Sequence, residues 1–100
     1  MRLDKFLKTM NLMKRRTVAN EAAGEGFITV NGRTAKPAYT LKAGDVLELD
    51  MWNFYKKIKV IQVPEKNSIP KKDLPLYIET LEYRAKTADD FSDFEDDEEL

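Results

Sequence analysis

Arg2, Lys5 and Lys8, followed by Lys14, Arg15 and Arg16, are the side chains of this sequence best suited to chemistry, and the chemistry is the holding of phosphate oxygens. An arginine presents N–H donors in a planar fork that matches a phosphate, and a lysine presents a mobile point charge. Their spacing gives them a direction. Leu3, Phe6, Leu7 and Met10 fall at i, i+3, i+4 and i+7, which places them on one helical face and leaves Arg2, Lys5 and Lys8 off it. Lys14-Arg15-Arg16-Thr17 stands where a second helix should begin, with Val18, Ala19, Ala22 and Ala23 as its small apolar side. Cations at a helix start oppose the macrodipole. A polyanion resolves that conflict, because N–H groups and basic side chains then converge on the same phosphates. Asp4 has two readings of equal weight: a helix-start acid favouring the dipole, or an orienter that holds Arg2 or Arg16 in place.

The elements that must position these groups follow from local signals. Gly24 and Gly26 stop the second helix. Phe27 to Val30 alternates two faces as a short strand does, and Asn31-Gly32 accepts the positive φ angles of a type I′ turn. A tight hairpin into Arg33-Thr34-Ala35-Lys36 is predicted, from which Arg33 and Lys36 can reach an RNA backbone from the sheet side. Pro37 interrupts the return strand. Lys42-Ala43-Gly44-Asp45 supplies a turn before a strand over 46–51, whose Leu47, Leu49 and Met51 share a face. The β-branched stretch from Tyr55 to Val63 should pair with it. After a loop over 64–72, Asp73 is an N-cap candidate for a helix over 73–84 carrying Leu74, Tyr77, Ile78 and Leu81 on one side. The expected class is α+β, with two basic helices packed on a small, mostly antiparallel sheet. Its parts are a domain over 1–63, a loop and helix over 64–86, and a tail over 87–100 that is too acidic to bury much and is expected to be disordered.

Composition bounds the function. One hundred residues with a 42% hydrophobic fraction support a modest core and no large catalytic cavity. The chain has no cysteine and no histidine, which removes disulfides, thiolate metal sites, the usual neutral-pH base and every Ser-His or Cys-His nucleophile. No catalytic residue, metal ligand or cofactor is expected, and the carboxylates concentrate in the tail without a fixed geometry. The near-neutral net charge of -1 hides a segregation: residues 1–86 hold all 17 bases against ten acids, whereas 87–100 holds eight acids and no base. Such asymmetry is common among nucleic-acid-binding proteins. The start of the chain lacks the apolar run of a signal peptide, and no segment approaches the roughly 18 apolar residues of a membrane span, so a soluble cytoplasmic protein is expected.

The motifs together resemble a known family. Arg2-Leu3-Asp4, Arg15-Arg16, Ala19, Gly26, Val30-Asn31-Gly32, Lys36 and Gly44-Asp45-Val46 resemble the S4 RNA-binding domain. Within that superfamily, Met1 to Lys8 with Leu12 to Thr17 is similar to the ribosome-associated quality-control protein P (RqcP) family, and the heat-shock S4 proteins are the nearest alternative. The resemblance covers about residues 1–63. It implies a factor that binds 23S rRNA and peptidyl-tRNA on an obstructed large ribosomal subunit, monomeric when free, and that supports alanine tailing by an RqcH-like partner. It gives rRNA contact first to Arg2 and Arg16. A detached targeting module of an RNA-modifying enzyme is the alternative from another class. Tyr39, Trp52, Phe54 and Tyr55 could stack on bases, but in a chain this small they are expected as core or edge cover.

Overall fold

The computed structural model describes residues 1–86. The first helix, α1, spans Leu3–Thr9 and buries Leu3, Phe6, Leu7 and the following Met10, the face that the spacing predicts. Asn11, at φ 59°, turns the chain out of the helix, and the Leu12 and Met13 N–H groups close back on the Leu7 carbonyl. The second helix, α2, spans Arg16–Gly24 and packs Ala19, Ala22 and Ala23 inward, while Val18 stays at the surface. Small residues let α2 lie close to its neighbours. It stops where the two glycines imply: Gly24 is its last residue, Glu25 is the cap, and Gly26 takes the left-handed conformation, φ 87°.

Five strands form one antiparallel sheet in the order β2-β1-β3-β4-β5. They are β1 (Ile28–Val30), β2 (Arg33–Thr34), β3 (Val46–Asp50), β4 (Phe54–Val60) and β5 (Ile78–Ala85). The β1–β2 hairpin pairs Val30 with Arg33, with Asn31 (φ 53°) and Gly32 (φ 85°) as the two loop residues, which is the type I′ turn expected. Ile28, Val30, Leu47, Leu49, Ile58 and Val60 alternate onto the face that closes over α1 and α2. Asn31 also locks the sheet from its loop: its Nδ2 donates to Asp45 Oδ1 at 3.0 Å, and its Oδ1 accepts the Val46 N–H at 2.9 Å.

The helix expected over 73–84 is absent. A 3₁₀ helix spans Lys71–Leu76 with Pro75 inside it, and the residues from Ile78 onward run as β5 along the open edge of β4. The edge decides the outcome. Pairing satisfies the backbone of a seven-residue strand, which outweighs the helical spacing of Leu74, Tyr77, Ile78 and Leu81. Ile58 pairs with Thr80 and Lys57 with Glu82, so Leu81 is the extra residue of a β-bulge. The C-terminal segment is thus part of the sheet, and the tail over 87–100 lies outside the described residues. Among the described residues no helix is long and apolar enough to cross a membrane.

Candidate nucleic-acid interface

The start of each helix meets the other at Asp4. This carboxylate is 2% exposed, and every hydrogen bond it accepts comes from a group at or near a helix start or from α2. Arg2 Nε and Nη2 donate to Oδ1 and Oδ2 at 3.1 and 3.0 Å, a two-pronged contact. Arg16 Nη2 donates to Oδ1 at 3.4 Å, Asn20 Nδ2 to Oδ2 at 3.1 Å, and the Lys5 N–H to Oδ1 at 2.7 Å. Burial pushes this carboxyl up, but the Arg2, Asn20 and Lys5 hydrogen bonds and the charge of Arg16 outweigh it and bring its pKa down to about 2. Asp4 is therefore ionised at neutral pH; it stands in the first turn of α1, as the first of its two readings has it, and it is hydrogen-bonded to both Arg2 and Arg16, the geometry that the second requires.

The two arginines are left half in solvent, with 49% and 48% of their side-chain surface exposed. Each guanidinium uses one or two N–H groups on Asp4 and turns the others outward. Two cations on one anion leave the three-residue clamp itself one positive charge in excess, which Glu21 on the same border offsets. They line a shallow depression with Thr17, Asn20 and Glu21. No side chain caps the start of α2. That end is therefore open to an anion beside Arg16, as the cation-rich helix start implies.

The other cations fall into three positions. Lys5 and Lys8 follow Arg2 at intervals of three along α1, half-buried and exposed respectively, and so continue its stripe. Arg33 and Lys36 are exposed on and after β2, where they line a separate hollow with Asn31 and Tyr39. Backbone ties connect that region to the arginine pair: the Leu3 N–H donates to the Tyr39 carbonyl at 2.8 Å, the Asp4 N–H to the Pro37 carbonyl at 3.2 Å, and Arg2 bridges Thr40. Lys14 and Arg15 are exposed before α2 and border a third hollow that also contains Trp52.

Sequence reasoning missed Asn20. Its position four residues after Arg16 puts both on one side of α2, and that spacing was the available signal. The aromatics divide. Tyr55 donates its hydroxyl to Glu48, which pulls the Glu48 carboxyl down and pushes the Tyr55 phenol up to about 12. Phe54 stacks on Tyr83 with ring centroids 6.3 Å apart, and Tyr39 is only partly covered. Trp52 departs from the expectation of core or edge cover, since it is 81% exposed.

Residues 1–47 match the S4 domain. A Helicobacter pylori (strain J99) protein named RQC P-site tRNA stabilizing factor is 38% identical over 78 residues, covering 78% of this chain and 93% of its own length. The Bacillus subtilis (strain 168) protein of the same name is 45% identical over 73 residues, covering 73% of this chain and 81% of its own. Among solved structures, that of the protein HP1423 superposes with a TM-score of 0.70 at 36% identity, over 80% of this chain and 95% of that one. Vibrio cholerae heat shock protein 15, described as trimeric, shares the fold with a TM-score of 0.68 at 23% identity, over 87% and 82% of the two chains. With alignments that span most of each relative, and an S4-domain match that includes both arginine-bearing helices, the chain belongs to the S4-domain family of RQC P-site tRNA stabilizing factors, RqcP.

Proposed function

We propose that this chain is a non-enzymatic RNA-binding factor of ribosome-associated quality control, which binds rRNA and tRNA on the obstructed large ribosomal subunit carrying peptidyl-tRNA. The observation that carries this reading is the pair Arg2 and Arg16 clamped on buried Asp4. Side chains locked before binding lose little entropy on meeting phosphates, so they recognise a fixed backbone shape. Folded RNA suits such a surface, because its deep groove hides base edges while phosphates and 2′-hydroxyls remain in reach. The relatives named for stabilising P-site tRNA support tRNA as one of the ligands and the ribosome as the setting.

In this reading Arg2, Lys5, Lys8, Lys14, Arg15, Arg16, Arg33 and Lys36 bind RNA, and Asp4 positions the arginines. The protein works in the cytoplasm, is a monomer when free, contacts 23S rRNA, and holds the tRNA in place while an RqcH-like partner extends the stalled chain with alanine. Co-sedimentation with purified large subunits carrying peptidyl-tRNA tests the central claim. Folded Arg16→Ala protein should remain in the supernatant. If it pellets as well as the unaltered chain, Arg16 is not the anchor.

A further inference from the structure

Trp52 stands at the tip of the β3–β4 hairpin, between Met51 and Phe54, whose backbone N–H and carbonyl close the loop at 2.9 Å. A single exposed apolar side chain needs no special explanation. This one borders a hollow of about 400 Å³ whose apolar side includes Met13, Val18 and Phe54 and whose other border is Lys14 and Arg15. That size lies in the range of small-ligand sites, about 300–1,000 Å³. Among the described residues Lys14 and Arg15 take part in no ion pair, so their charges face solvent. Arg15 directly precedes Arg16 of the Asp4 clamp, so the hollow and the proposed phosphate-binding surface border consecutive residues at the start of α2.

An aromatic plane beside unpaired cations is the pairing of chemistries that a nucleotide requires. The flat indole suits the π-face of a base, and the cations suit its phosphate. An RNA strand that places phosphates on Arg16 brings its next nucleotide to this hollow without a second partner. We infer that Trp52 is a stacking platform for one unpaired RNA base, whose flanking phosphate sits on Lys14 and Arg15. The inference rests on the RNA-binding reading and adds to it a site for a base rather than for backbone alone.

Trp52 is the single tryptophan of the chain, so its fluorescence reports on this position without a label. The full chain is titrated with two RNA probes of equal length, a hairpin with an unpaired loop and a blunt fully paired duplex. Binding of each is followed separately by the anisotropy of a dye on the RNA. The loop hairpin should quench the tryptophan and the duplex should not. Trp52→Ala should weaken hairpin binding by about 5- to 150-fold, as loss of one base stack does, and Trp52→Phe should restore most of it. Hairpin binding by anisotropy with unchanged tryptophan emission overturns the stacking site and leaves the RNA-binding reading intact. If neither RNA binds, the stacking site and the RNA-binding reading fall together. Emission that follows protein concentration instead of RNA overturns the site in favour of a second copy covering the hollow.

Discussion

Arg2 and Arg16, one at the start of each helix, share a single oxygen: Oδ1 of Asp4 accepts from both, at 3.1 and 3.4 Å. Two like charges are thereby brought together and aimed by one buried anion. Asp4→Asn separates this orienting role from simple charge. The substitution removes a negative charge from the proposed phosphate-binding surface, so Coulomb attraction alone predicts tighter RNA binding. Loss of the clamp frees two long side chains, each worth about 0.5–1.5 kcal/mol to re-immobilise, and predicts binding about tenfold weaker. Filter binding at fixed salt decides between them, and tighter binding by the variant would remove Asp4 from the site.

The same carboxylate links folding to acid. Its pKa is held at about 2 in the folded chain against an ordinary 3.8, so its contribution is fully present above about pH 5 and disappears as pH falls through 2. The difference corresponds to about 2 kcal/mol. Glu48, also held low by Tyr55, acts in the same direction. Comparison with Asp4→Asn isolates Asp4: urea melts should show the unaltered chain more stable by about 2 kcal/mol at pH 6, with the gap narrowing steadily toward pH 2. A gap that does not change with pH would mean that the clamp does not hold the ionised form.

How far the sequence discloses this molecule depends on how local each determinant is. The inward face of α1 and the Asn31-Gly32 turn are visible because spacing and φ preference are properties of a few neighbouring residues. The arginines stand out because they violate the helix dipole. The strand β5 does not, since its conformation is set by the unpaired edge of β4, a partner distant in sequence. Asn20 is hidden for a related reason: its hydrogen bond to Asp4 exists only once α1 and α2 cross. The exposure of Trp52 follows from its place at a hairpin tip, which composition does not specify.

Asn31 tests the scaffold independently of the RNA. Its side chain donates to buried Asp45 and accepts from the Val46 backbone, joining the hairpin to β3. Asn31→Ala removes both bonds, leaves Asp45 short of a donor and puts a Cβ residue of lower left-handed preference at φ 53°. Stability should fall by about 2–3 kcal/mol, read from chemical denaturation. At temperatures where the variant is folded, RNA affinity should stay within about twofold, since no proposed phosphate contact is altered. A large affinity loss in folded protein would make the turn itself part of the interface.

Salt dependence weighs the cations as a set. If about four to six phosphates are neutralised, the logarithm of RNA affinity should fall with the logarithm of salt concentration at a slope of about -3 to -5. Arg16→Ala should flatten that slope by about one and weaken binding equally for unrelated RNA sequences, because a phosphate contact carries no base information. Arg33→Ala is the informative companion. Arg33 lies on β2, in a different hollow from the Asp4 clamp, and no carboxylate among the described residues holds it within ion-pair distance. An unclamped arginine loses more rotamer entropy on binding, so its removal should change the slope by a similar amount but cost less affinity than removal of Arg16. Equal losses at the two positions would show that the buried carboxylate adds nothing to phosphate binding, and that net charge alone accounts for the interface.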